Sequence, residues 1–317
     1  MNNSILNCIG NTPLVRLNQI SCGKLDIYAK CEFFNPTGSM KDRAAYNAIV
    51  RQIEKGRLQK GDHVVESSSG NFGISLANVC SLMDLHFHCV VDPNINPTNE
   101  KILHLRQAEV IKVTKIDANR GYLLSRLERV QQFLKEVEGS FWTNQYDNSD
   151  VIEGYYGLVD ELLEQIDTID YLFIPVSSAG MLSGISSKLK KIRADVKVIA
   201  VDVNGSVIFG GAPKRRYIPG MGSCIVPPNL KKANYDGVVY VDESEIIKKS
   251  REVLQKEALL VGGSSIATIC AIQKYFDDQP PENNTKIVTI FCDCGERYLE
   301  TLYCDEWCKN TFGKDVL

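Results

Sequence analysis

Short apolar runs recur along the chain, each followed by a stretch whose apolar residues repeat at helical spacing. DIYAK (26–30), HVVE (63–66), HFHCVV (86–91) and EVIKV (109–113) form one series. YLFIPV (171–176), VKVIAVD (196–202), GVVYV (237–241) and KIVTIF (286–291) form a second. Runs this short, rich in Val and Ile, suit strands. Among the intervening stretches, 121–137 puts Leu123, Leu124, Leu127 and Val130 on one helical face, and 244–258 reads as another helix. Strands alternating with helices predict parallel α/β architecture. Two such series predict two α/β lobes, with the ligand in the cleft between them.

Composition narrows the class. A chain of 317 residues holds roughly two domains at ~150 residues each. Hydrophobic residues make up 44%, charged residues 24%, and the net charge is −3, a balance that argues against disorder and against a polyanion-binding surface. Nucleic acid is not an expected partner. The opening MNNSILNCIGNTPLVRL has no basic segment followed by a long apolar run, and no stretch approaches the ~20 apolar residues of a membrane span. A cytoplasmic protein without membrane contact is expected. Eleven cysteines include the close pairs Cys292/Cys294 and Cys304/Cys308. There is no paired CxxC set, and His63, His86, His88 and His104 do not stand at zinc-site intervals from cysteines. Buried or inert thiols and no metal are the expectation.

Candidate chemistry gathers where strands give way to helices. In NPTGSMKDR (35–43), Pro36 fixes its own φ and pushes Asn35 toward extended geometry, Gly38 permits a tight turn, and Ser39 is a good helix N-cap. Ala44, Ala45, Ala48 and Ile49 follow at helical spacing, which puts Lys41 in the first turn. The positive end of the helix dipole disfavours an ammonium there and favours the neutral amine that a nucleophile or Schiff-base lysine needs. A solvated surface lysine fits this local pattern equally well. SSSGNFG (67–73) offers hydroxyls and backbone N–H groups to a carboxylate or phosphate. SSAGMLSG (177–184) and VGGSSIA (261–267) are further nests of that kind, the latter with Ser264 and Ser265 as donors. One serine-rich turn is unremarkable. Three, with a lysine at a helix start, point to a ligand.

In chain order, IGNTPLVRL, NPTGSMKDR, SSSGNFGI, SSAGMLSG, GGSSIA and CGERYL resemble the motifs of the fold-type II pyridoxal phosphate enzymes. That group includes cysteine synthase, cystathionine β-synthase and the tryptophan synthase β chain, and the likeness covers essentially the whole chain. VVDPNINPTNEK, RGYLLSR, NQY, GSVIFG and YLETLYCDEW resemble one branch more narrowly, the N-(2-amino-2-carboxyethyl)-L-glutamate synthases. That branch makes diaminopropionate precursors for siderophores of the staphyloferrin B type and for some antibiotics.

The resemblance implies two open, twisted, mostly parallel α/β lobes with the active site in the cleft. Residues 1–34 with 145–317 would form a large cofactor-binding lobe and 35–144 a small mobile substrate lobe, in a homodimer. It implies pyridoxal 5'-phosphate as cofactor, joined covalently to Lys41, with Asn71 at the ring hydroxyl and Ser264 at the pyridine nitrogen. Ser177, Ser178, Ala179, Gly180 and Met181 would cradle the cofactor phosphate. Ser67, Ser68, Ser69, Gly70 and Asn71 would hold the substrate carboxylate, with Gln145 assisting. Departures from the cysteine synthase pattern are Ser177 and Ala179 in place of glycines, Met181 in place of a threonine, and Ile266 where many relatives have glycine. The phosphate contacts would then come from backbone N–H groups and Ser178.

A serine at the pyridine nitrogen leaves it unprotonated and weakens the electron sink, which suits α-proton removal by Lys41 coupled to departure of a group from Cβ. The expected reaction is β-replacement: O-phospho-L-serine loses phosphate to give an aminoacrylate, and the amine of L-glutamate adds to it. A phosphate dianion needs a cationic or donor-rich pocket, and glutamate brings two carboxylates, whereas sulfide needs little. Arg126, in the segment resembling the glutamate-using branch, is the candidate cation for glutamate, with Tyr146 and Ser177 lining the same pocket. On an amphipathic helix an arginine more often faces water, and Tyr146 also suits core packing. A cysteine synthase using O-acetylserine or O-phosphoserine with sulfide is the nearest alternative. A catalytically silent binding or regulatory protein of this fold is another, and the intact Lys41 and Asn71 argue against it.

Overall fold

The computed structural model describes residues 4–21, 23–117, 121–278, 280–281 and 283–317. Its strands are β1 (Leu14–Arg16), β2 (Leu25–Cys31), β3 (His63–Ser67), β4 (His86–Val91), β5 (Glu109–Lys112), β6 (Phe141–Trp142), β7 (Tyr171–Pro175), β8 (Lys197–Val203), β9 (Gly237–Val241) and β10 (Thr285–Phe291). Its α-helices are α1 (Lys41–Glu54), α2 (Asn71–Leu82), α3 (Pro97–Leu105), α4 (Leu123–Glu136), α5 (Ser149–Glu153), α6 (Tyr156–Gln165), α7 (Gly180–Ile192), α8 (Glu243–Glu257), α9 (Gly263–Asp278) and α10 (Asp305–Phe312). They fall into two compact units, Met1–Ile9 with Lys41–Gly154, and Gly10–Met40 with Tyr155–Leu317.

The first unit holds a parallel sheet of order β5-β4-β3-β6. The consecutive residues Val64 and Val65 of β3, and Val90 and Val91 of β4, are fully buried, as expected where both faces of a parallel sheet are covered. On one face α4 packs Val130 and Phe133 against Val65 and Val90. Helix α1 opens at Lys41 itself and buries Ala44, Ala45, Ala48 and Ile49. Ser39, expected as the cap, stands two positions earlier in a bridge with Asp293. Asp150 pins α5 to α1: its carboxylate accepts from Gln52 Nε2 at 2.5 Å and Lys55 Nζ at 3.0 Å, and its carbonyl from Asn47 Nδ2 at 2.6 Å. This attachment carries the unit on to Gly154.

The second unit holds a six-stranded sheet of order β1-β2-β10-β7-β8-β9, parallel except for the antiparallel edge pair β1/β2. Its core joins Ile27, Phe173, Ile199 and Phe291 of the strands to Ile266 and Ile269 of α9. Residues 35–40 belong here. Met40 N donates to Cys292 O at 2.8 Å, and the Asn35 amide donates to the carbonyl and carboxylate of Glu32 at 2.7 and 2.9 Å. The fully buried Lys30 amine is satisfied by Thr12 O and Glu161 Oε2, each at 2.6 Å, and by Gln165 Oε1 at 2.9 Å. That set is what lets a charge sit inside a parallel sheet. Among the described residues, no helix is long and apolar enough to cross a membrane.

Candidate functional site

In the first unit, residues 67–70 leave the carboxyl end of β3 and enter α2, whose first residue is the half-buried Asn71. The leading N–H groups of a helix have no intrahelical acceptor, and its dipole favours an anion. Ser67 is 1% exposed, and its hydroxyl is buried without a hydrogen-bond partner among the described residues. An orphaned buried donor of this kind calls for an explanation, and an acceptor from outside the fold is one. Ser68 Oγ accepts from Gly73 N at 3.0 Å, and Gln145 Nε2 donates to Ser67 O at 3.1 Å. Gly73 is needed for close approach, since a Cβ there would meet Ser68 O at 2.5 Å.

Glu66, which the motif reading passed over, fixes this loop. Its wholly buried carboxylate accepts from Ser67 N at 2.7 Å, Thr143 Oγ1 at 2.6 Å, Gln145 N at 3.1 Å and Trp142 Nε1 at 3.4 Å. Gln145 reaches Ser67 because both are tied to the same carboxylate. Burial pushes the Glu66 carboxyl above the usual range, outweighing the opposite pull of Thr143 and the other donors. A carboxylate closing the apolar run HVVE was the available signal, since an interior charge requires partners.

Arg126 does not face water. Its side chain is 13% exposed, and its Nη1 donates to Ser69 Oγ at 3.2 Å and lies 3.2 Å from Asp92 Oδ2. Its Nε is buried without a hydrogen-bond partner among the described residues. The structure thus gathers Ser67, Ser68, Ser69, Gly70, Asn71, Gln145 and Arg126 in one unit. Tyr146 is half-buried next to Gln145 in sequence.

In the second unit, residues 177–179 lead from β7 into α7. Ala179 is left-handed, at φ 59 and ψ 0, and caps the helix that starts at Gly180. A left-handed residue ahead of a helix start turns successive N–H groups toward one point, an anion nest. Ser178, Ala179, Gly180 and Met181 are buried. The Ser177 hydroxyl donates to Gly222 O at 3.2 Å. Ser264, the second residue of α9, is 4% exposed. A cradle of N–H groups and the buried Ser264 on α9 fit a phosphorylated heteroaromatic cofactor.

One thiol supports the anion loop, Cys89 Sγ donating to Ser68 O at 3.0 Å. Burial pushes Cys31, Cys89 and Cys270 up to about 12, so they stay protonated near neutrality; Cys22 lies outside the described residues. Among the described residues, no group of three or more His, Cys, Asp or Glu side chains is arranged to hold a metal ion.

Comparison with known proteins gives a consistent picture. A family model described as pyridoxal-phosphate dependent enzyme matches residues 5–293. An N-(2-amino-2-carboxyethyl)-L-glutamate synthase of Ralstonia nicotianae is 42% identical over 96% of this chain and 90% of its own length. Another of that name, from Cupriavidus metallidurans, is 41% identical over 96% and 91%. Among solved structures, a cysteine synthase of Entamoeba histolytica superposes with a TM-score of 0.89 at 30% identity, covering 96% of this chain and 91% of the other. An O-acetylserine dependent cystathionine β-synthase of Helicobacter pylori gives 0.88 at 26%, covering 96% and 99%.

Proposed function

This chain belongs to the pyridoxal-phosphate dependent enzymes, and from that membership we propose that it catalyses β-replacement on O-phospho-L-serine with the amine of L-glutamate. The product is N-(2-amino-2-carboxyethyl)-L-glutamate, a precursor of L-2,3-diaminopropionate. The observation that carries this reading is the sheltered Arg126 guanidinium on Ser69 of the anion loop. An acidic substrate has use for a cation there, whereas an acetyl leaving group and a sulfide nucleophile have none. The names of the relatives at 41% and 42% identity support glutamate as the nucleophile.

Pyridoxal phosphate, when bound, supplies an electron sink for the substrate's Cα. The N–H groups of residues 178–181 and the Ser178 hydroxyl would hold its phosphate, Ser264 its ring nitrogen and Asn71 its ring hydroxyl. Lys41 would attach it through its Nζ and then use the same amine to take the proton from Cα and return it. The Ser67 hydroxyl and the first N–H groups of α2 would bind the substrate carboxylate, with Gln145 keeping Ser67 in place. Arg126 would neutralise acidic groups of the substrates, the second carboxylate of glutamate first among them. Its contact with Ser69 favours a second reading, in which it serves the departing phosphate of the first substrate.

The test is direct. The enzyme is incubated with O-phosphoserine or O-acetylserine, each with glutamate or sulfide, and products are identified by mass. The adduct of phosphoserine with glutamate is expected. Cysteine from sulfide, with no glutamate adduct, would replace this reading by that of a cysteine synthase.

A further inference from the structure

In the second unit, the turn 220–223 bonds one of the candidate cofactor and substrate residues and lies beside another. Gly222 N donates to Val176 O at 2.8 Å, and Gly222 O accepts the Ser177 hydroxyl at 3.2 Å. At the other end, a Cβ built on Gly220 would lie 3.9 Å from Ser264 Oγ. The crest of the turn is held by Arg216, whose Nη1 donates to Met221 O at 3.1 Å. Arg216 Nη1 also fills the space where a Cβ on Gly222 would project. Gly222 has φ +66, so the position calls for glycine on both counts.

Nearby is Asp202, near the carboxyl end of β8 and 0% exposed. Burial pushes the Asp202 carboxyl above its usual range, with the Ser206 hydroxyl, Val203 N and the Arg216 charge pulling the other way, and the same Ser206 Oγ accepts from Ser223 N at 3.1 Å. Arg216 Nε and Asp202 Oδ2 are buried with no hydrogen-bond partner among the described residues. A fold that needed only filling here would not keep a guanidinium and a carboxylate with unused polar atoms, because each carries a desolvation cost. What Arg216 does achieve is to hold one carbonyl, that of Met221, in the turn that accepts the Ser177 hydroxyl.

We propose that Arg216 is a positioning residue for the cofactor: by holding Met221 O, while Asp202 acts on the same turn through Ser206 and Ser223 N, it sets the turn 220–223 and so the spacing of the 177–181 loop from Ser264. This rests on the reading that those residues hold pyridoxal phosphate. In this reading Arg216 acts through Met221 O. Lost hydrogen bonds to charged groups cost enough to change an affinity by about tenfold to a hundredfold.

The experiment compares holoenzymes of the wild type, Arg216→Met, Arg216→Lys and Asp202→Asn without substrate. It reads the phosphorus-31 resonance of bound pyridoxal phosphate, the cofactor dissociation constant and the melting temperature. Arg216→Met should shift or broaden the resonance and weaken retention by about tenfold or more. Arg216→Lys should recover part of both, because an ammonium can still donate to Met221 O. An unchanged resonance and dissociation constant in Arg216→Met would overturn the proposal, whatever happens to the melting temperature. Should Arg216→Met not fold, the near-isosteric Asp202→Asn decides: a moved resonance supports the proposal and an unmoved one overturns it. No substrate is present, so a wild type unable to use glutamate counts against the preceding reading alone.

Discussion

A guanidinium that is 13% exposed and lodged between Ser69 and Asp92 has exchanged most of its water for fixed partners, so removing it should be felt. Arg126→Ala forfeits charge-assisted bonds worth about 1.5–3 kcal/mol, roughly tenfold to a hundredfold in rate or affinity. Stopped-flow measurement of the two half-reactions locates the loss. A defect confined to glutamate addition supports the dicarboxylate role, and one confined to phosphate release supports the leaving-group role. Wild-type behaviour in both removes Arg126 from the site. Lys41→Ala should abolish turnover together with the absorbance of the attached cofactor, and retained turnover would refute its assignment. Glu66 makes a pH prediction. Its carboxyl is raised by burial, so it holds its proton more tightly folded than unfolded. Its contribution is complete below the unfolded value of about 4.3 and is lost as pH rises through the raised folded value. Glu66→Gln turns an amide nitrogen toward donors, at a cost of about 1–3 kcal/mol, but it does not titrate. The melting-temperature gap between wild type and variant should therefore narrow from pH ~4 to neutrality. A widening gap would mean that the fold favours the anion.

Helix α2 depends on Gly73 as much as on its anion-facing end. Gly73→Ala would press a Cβ against Ser68 O at 2.5 Å, and backbone cannot yield as a flexible side chain does. About 1–3 kcal/mol of stability should be lost, with a raised KM for phosphoserine because the 67–70 loop is displaced. An unaltered KM would show that the loop does not bind the donor. The principal elements were legible from apolar runs: HFHCVV and GVVYV coincide with β4 and β9, residue for residue. β1 and β6, at three and two residues, were not, because alternation needs more positions than they have. On α4 the stripe was legible, yet the orientation of Arg126 was left open. Its spacing held the answer, since it lies three residues after Leu123 and four before Val130, both buried, which puts it on the covered side. Glu66, Asp92, Asp202 and Arg216 stayed hidden for another reason. Glu66 and Asp92 depend on partners far along the chain, and Asp202 and Arg216 on irregular turns around 206–223, so no periodic pattern encodes them.

The chain carries two tryptophans, Trp142 in the first unit and Trp307 in the second. With one replaced by phenylalanine, each remaining indole reports the melting of its own unit. Most of the proposed cofactor contacts belong to the second unit, so cofactor at ~100 times its dissociation constant should stabilise the Trp307 transition by about 2.7 kcal/mol. The Trp142 transition should move less. Equal shifts at both probes would mean that the units unfold as one cooperative body.

The pairing of β2 with β10, Leu25 opposite Thr285 through to Cys31 opposite Phe291, sets a timetable for synthesis. The ribosome releases β2 early and its parallel neighbour roughly 250 positions later, on the order of ten to fifty seconds afterwards. In that interval residues 41–154 have already emerged as an unbroken stretch able to close their own sheet, while β2 waits with an unpaired edge. A strand held open so long is where a nascent chain recruits a wrong partner, and where a chaperone would be of most use to it.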